Sequence, residues 1–117
     1  MQKTIIYQIL PRLWGNGKAR PKKNGTLADN GTGKFSDIDH NTLKYLKWLG
    51  CSHVWYTGVI RHSTQASEEG CIPSHPQFVK GKAGSPYAIC DYYDVNAYLA
   101  DDPQQRMEEF ESLIART

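Results

Sequence analysis

Short apolar runs alternate along the chain with segments that carry an apolar residue every third or fourth position, and two long polar stretches divide them. The first run, Ile5-Ile6-Tyr7-Gln8-Ile9-Leu10, is rich in β-branched and aromatic residues and ends at Pro11. It predicts a strand apolar on both faces, the kind buried in a mostly parallel sheet. From Gly15 to Gly33 the sequence offers glycine, asparagine and lysine and almost nothing to bury, which predicts a long loop. Leu43, Leu46 and Leu49 then repeat at helical spacing, with Asp37 or Asp39 as N-cap and Gly50 as the stop. They predict a helix over 39–49, and His53-Val54-Trp55-Tyr56 predicts a second strand over 52–56. Strand, loop, helix, tight turn and strand make a βαβ pattern, whose strands pair in parallel through a right-handed crossover.

The segment 57–84 has no sustained periodicity and is punctuated by Gly70, Pro73, Pro76, Gly81 and Gly84. A connection of that length is expected to be functional. Both long loops follow a strand and precede a helix, so they are expected at the same sheet edge, where α/β proteins place their sites. The last predicted helix spans 103–116. Asp102 offers the N-cap, Pro103 stands at the first helical position and Gln105 at the third, and Met107, Phe110, Leu113 and Ile114 form an apolar stripe. Glu108, Glu109 and Glu111 are expected to face water.

The length of 117 residues leaves room for one small domain. A hydrophobic fraction of 39 % and a charged fraction of 22 % suit a soluble globular chain, and a net charge of +2 does not point to a nucleic-acid partner. The basic cluster Lys18, Arg20, Lys22 and Lys23 is expected to be a solvated loop. The sequence holds no apolar run long enough to cross a membrane and no signal-peptide pattern, and its three cysteines, Cys51, Cys71 and Cys90, fit a reduced interior. The expectation is a cytoplasmic protein. A secreted or periplasmic form would have lost its signal segment.

His62, Cys71 and His75 lack the spacing of a four-ligand metal site, and the glycines of 25–33 fit neither phosphate-loop pattern, which disfavours a nucleotide-binding domain. The most distinctive stretch is Ser85 to Asn96, with three tyrosines and two aspartates in twelve residues. Flat rings suit the apolar faces of a sugar, and carboxylates and amides suit its hydroxyls. Tyr87 is therefore either a packing residue or a stacking platform for a pyranose ring, and Asp91 is expected to hold backbone N–H groups of its turn.

Four landmarks resemble the N-terminal part of the catalytic domain of the α-amylase family of glycoside hydrolases. They are Ile6-Tyr7-Gln8-Ile9 with Pro11-Arg12, then Leu43-x-Tyr45-Leu46-x-x-Leu49-Gly50 followed by Val54-Trp55, then Tyr87-x-x-x-Asp91-x-Tyr93-x-x-Asn96, and last the segment from Arg106 to Arg116. Ser85-Pro86 departs from the His-Gly common in that family before the tyrosine. The resemblance implies an α/β fold, a partial (β/α)8 TIM barrel in which residues 1–117 supply the first two βα units of a barrel needing about 250 residues. It implies a parent that is a retaining hydrolase acting on α-linked glucose oligosaccharides or polysaccharides, with Tyr87 binding substrate and Asp91, Tyr93 and Asn96 supporting the site. It assigns no catalytic residue and no cofactor within this chain, and it leaves room for calcium in the full-length parent without placing it. On this reading the fragment is inactive alone, and its open strand edges and short-partnered helices make it oligomeric or poorly stable as a monomer. The rival expectation is a small non-catalytic carbohydrate-binding or interaction module.

Overall fold

The computed structural model describes residues 2–117. Its elements are β1 (Ile6–Ile9), α1 (Leu27–Asn30), α2 (His40–Trp48), β2 (His53–Tyr56), β3 (Ile60–His62), β4 (Ile89–Val95) and α3 (Arg106–Arg116), with four short 3-10 turns between them. β1 and β2 pair in parallel, from Ile6 opposite His53 to Ile9 opposite Tyr56. The crossover is α2, and Asp39 caps it by accepting the Thr42 N–H at 2.9 Å. Because strand side chains alternate, Tyr7, Ile9, Val54 and Tyr56 turn to one face. There they join Leu43, Leu46 and Leu113 in the core. Ile6, Gln8, His53 and Trp55 occupy the other face and stand exposed, Ile6 at 58 % and Trp55 at 51 %. The expectation that the first strand is buried on both faces is therefore corrected.

The second sheet is separate and antiparallel. Ile60 lies opposite Val95, Arg61 opposite Asp91 and His62 opposite Ile89. One step along β3 thus spans Asp91 to Val95 on β4, so Tyr92, Tyr93 and Asp94 have no register partner on β3. β3 lies in the segment 57–84 that the sequence reads as loop, and β4 lies in the tyrosine-rich segment, for which the sequence predicts no strand. The described residues hold four strands in two open two-stranded sheets. This overturns both the partial (β/α)8 TIM barrel and the likeness to an α-amylase catalytic barrel. A barrel needs consecutive parallel strands, whereas β3 and β4 return antiparallel to each other and do not extend the β1–β2 sheet.

Residues 95–100 are buried without interruption and form the centre of the molecule. Lys34 ties this segment down, its ammonium donating to the Tyr98 carbonyl at 2.8 Å and the Ala100 carbonyl at 3.1 Å. Arg116 does the same for the approach to α2, donating to the carbonyls of Ile38 and Phe35 at 3.1 and 2.9 Å. α3 begins three residues later than predicted, because Pro103–Gln105 forms a 3-10 turn that Asp102 caps through the Gln104 N–H. Glu109 does not face water. It reaches back to accept the N–H groups of Asp101 and Asp102 at 2.8 and 2.9 Å, satisfying donors near the helix start. Leu113 is fully buried, which contributes about 1.5–3 kcal/mol, while Met107 and Ile114 of the same predicted stripe stay exposed.

Candidate functional site

The two long loops do meet, and a cleft of about 470 Å³ opens between them, within the usual size of a small-molecule site. Its first wall begins where β1 ends. Pro11 stops the strand, and the chain turns tightly as the Leu13 and Trp14 N–H groups donate to the Leu10 carbonyl. The loop then folds back on this turn, with the Gly33 N–H donating to the Arg12 carbonyl at 2.7 Å. A Cβ on Gly33 would overlap the carbonyls of Pro11 and Trp14, so only glycine permits this approach. α1 completes the wall as a single capped turn: Thr26 and Asp29 exchange backbone-to-side-chain bonds at 2.9 and 3.2 Å.

The second wall comes from the segment after β3. Gln65 is clamped to the returning chain, its backbone N–H donating to the Lys82 carbonyl at 2.8 Å and its side chain to the Gly81 carbonyl at 2.7 Å. Gly84, at φ +72°, brings the return strand so close to the Ser63 carbonyl that a Cβ would collide with it. Tyr98 reaches the cleft from the buried centre.

Behind Tyr98 lies a buried polar pair. The Ser63 carbonyl is only an acceptor, so the 3.3 Å contact with His62 Nδ1 places the imidazole proton on that nitrogen. Nε2 then accepts from the Tyr98 hydroxyl at 3.1 Å. Burial pushes the His62 pKa below its ordinary value, and it pushes the Tyr98 phenol up to about 12. The pair is therefore a neutral imidazole with a neutral phenol near pH 7. Burial also pushes the Cys71 thiol up, which leaves it a poor nucleophile.

The lining separates by chemistry. Asn16, Asn30, Thr64 and Gln65 spend their side chains on loop hydrogen bonds. Arg12, Lys18 and Lys82 form no ion pair among the described residues. Arg12 and Lys18 come from the first loop and Lys82 from the second, and the lining holds one carboxylate, Glu68, whose Oε2 already accepts the Ser67 N–H at 3.0 Å. Leu13, Leu27 and Ala83 supply apolar wall between them. Sequence reading placed Lys18 in a solvated loop and gave no role to Arg12 or Lys82. The signal was absent because their meeting depends on how two loops fold back.

The residues singled out from the sequence fall elsewhere, and none of the four lines the cleft. Tyr87 is 68 % exposed on the second loop. Asp91 accepts the Tyr93 N–H at 2.9 Å and stands 3.8 Å from Arg61, while Tyr93 projects almost fully into solvent. Asn96 is buried and knits the second sheet together, accepting the His62 N–H at 3.2 Å and donating to the Gly58 carbonyl at 2.8 Å. The nearest charged cluster is a clasp between β4 and α3. Arg106 grips Asp94 with two bonds, of 2.7 and 3.2 Å, and holds its carboxyl below the ordinary carboxylate range.

Among the described residues, no group of three His, Cys, Asp or Glu side chains is placed to hold a metal ion. With the barrel absent, nothing in this arrangement ties the chain to an α-amylase-like hydrolase. The expected glycosidase parent and its hydrolase role are corrected on that ground. No protein-family model, no curated protein and no solved structure matches the chain.

Proposed function

We propose that the chain is a binding domain which holds a compact anionic molecule with an apolar body in the cleft between its two long loops. The observation that carries this reading is the convergence of Arg12, Lys18 and Lys82, without ion-pair partners, on a preformed cavity with apolar wall. Like charges gathered in a concave, low-dielectric surface focus a positive potential and favour an anion there. Arg12 is the best placed of the three. It is half-buried, and its charge is felt by both His62 and Tyr98 at the back of the cleft. Asn16, Asn30, Thr64 and Gln65 are already engaged within the loops, so charge and apolar contact lead in selecting the ligand.

The test compares phenyl phosphate with benzyl alcohol, a neutral molecule of similar apolar body, by NMR titration of the full chain. Phenyl phosphate should shift the amides of residues 12–18, 64–68 and 82, and raising the salt should weaken it. The double variant Arg12→Ala with Lys82→Ala should bind it at least about 10-fold more weakly, the loss of a charge-assisted contact. Equal binding of the alcohol, or unchanged binding by the variant, would overturn the reading.

A further inference from the structure

The surface is larger than a chain of this size needs. The accessible area is 7977 Å², against about 6,450 Å² for a typical folded monomer of 13.3 kDa. The excess, roughly 1,500 Å², exceeds the ~800 Å² that each partner contributes to a standard interface. The radius of gyration is 14.9 Å, also above the roughly 13 Å expected for this length.

Part of that surface is made of large apolar side chains on the first sheet and on α2 and α3. Parallel sheets are ordinarily covered on both faces, yet here Ile6 and Trp55 lie on a bare face, and each strand has a single neighbour. On α2, Tyr45 and Trp48 stack at 5.8 Å between their ring centres while Trp48 is 78 % exposed. Lys44 and Lys47 stand exposed beside them. On α3, Met107, Glu111 and Ile114 follow one another along one exposed stripe, with Glu108 alongside. α2 thus presents aromatic surface with positive charge, and α3 aliphatic surface with negative charge. None of these four charged side chains forms an ion pair among the described residues.

We propose that the chain associates with a second copy of itself through unlike faces, the Lys44–Trp48 face of α2 in one copy meeting the Met107–Ile114 face of α3 in the other. Contacts between like faces place equal charges together, so complementarity selects the unlike pairing. Trp48 and Tyr45 supply the buried aromatic anchors, and the ion pairs around them set orientation.

The test is a charge exchange read by analytical ultracentrifugation. The wild-type chain should self-associate, and less so in high salt. The variants Lys44→Glu with Lys47→Glu, and Glu108→Lys with Glu111→Lys, should each associate at least about 10-fold more weakly. All four positions are exposed, and circular dichroism checks that each variant is folded. Mixing the two variants in equal amounts should restore association, because each reversed face then meets its complement. A wild-type chain that stays monomeric at millimolar concentration would overturn the proposal. So would variants that associate like the wild type, or a mixture that fails to recover.

Discussion

The two sheets of this molecule are equally small and are held in different ways. β1 and β2 pair in an even register and are fixed by what they bury: Tyr7, Ile9, Val54 and Tyr56 pack on Leu43, Leu46 and Leu113. β3 and β4 pair through a shifted register and are fixed by polar links. Asn96 bridges the strands' backbones, Arg61 faces Asp91 and Asp94 at 3.8 and 3.7 Å, and Arg106 clasps Asp94 to α3. Apolar packing tolerates some sliding but needs volume, whereas buried hydrogen bonds need geometry and leave costly orphans when one partner is lost. The first sheet should therefore fail globally when broken, and the second locally.

Ile9→Ala gives the largest break. Ile9 is 1 % exposed and belongs to the cluster that also contains Val59, Val95 and Leu99 from the other half of the molecule. Truncation should cost about 2–5 kcal/mol, through lost burial and the cavity left behind. Denaturant unfolding should show one lowered midpoint. Hydrogen exchange should quicken in both sheets together, and a loss confined to residues 6–9 and 53–56 would contradict the shared core.

Asn96→Ala should be milder and narrower. It leaves the His62 N–H without its side-chain acceptor and the Gly58 carbonyl without its donor, at about 1–3 kcal/mol. Exchange should quicken at residues 58–62 and 89–95 while β1 and β2 keep their protection. Equal loosening of both sheets would show that the second has no independent polar scaffold.

The same contrast decides what the sequence reveals. β1, α2 and β2 are legible because each is written locally: an apolar run stopped by Pro11, a leucine repeat capped by Asp39, and an apolar run after Gly50. Their parallel pairing follows from the crossover. β3 is three residues long, too short for alternation to register, and its partner lies about 30 residues away behind a long segment without periodicity. In β4 the bulge at Tyr92, Tyr93 and Asp94 breaks the alternation that would have marked a strand. The tyrosines there invite a ligand reading because aromatic side chains suit ligands. Their placement comes instead from a register shift that no local pattern encodes. Only the involvement of the two long polar segments in the cleft was legible: the second leaves β3 of the separate antiparallel sheet and not the expected edge of the parallel one. Its chemistry depends on glycines that let distant backbone segments touch, at Gly33 and Gly84, and on Arg12, which the sequence marked only as the exit of the first strand.

The smallest effect separates the sheets by pH. His62, on β3, is buried, and burial lowers its pKa below the ordinary 6.5, so the unfolded chain binds the proton more readily. Its contribution to stability is therefore fully present above about pH 6.5 and is lost as the pH falls from there toward the folded value. The slope can reach at most about 1.4 kcal/mol per pH unit for one proton. Protonation also breaks a contact, since an imidazolium has no lone pair on Nε2 to accept from the Tyr98 hydroxyl. Asp94 acts in a lower window. Arg106 holds its pKa below 3.8, so its contribution is present above that value and is lost as the pH falls further. Thermal unfolding between pH 7 and 5 should thus weaken through His62 while the Asp94 clasp is still intact. His62→Gln, which cannot take up the proton, should flatten this part of the profile and leave the decline below pH 4. Exchange measured at pH 5 should report the loosening first at β3 and β4. A profile unchanged by His62→Gln would place the acid sensitivity outside the His62–Tyr98 pair.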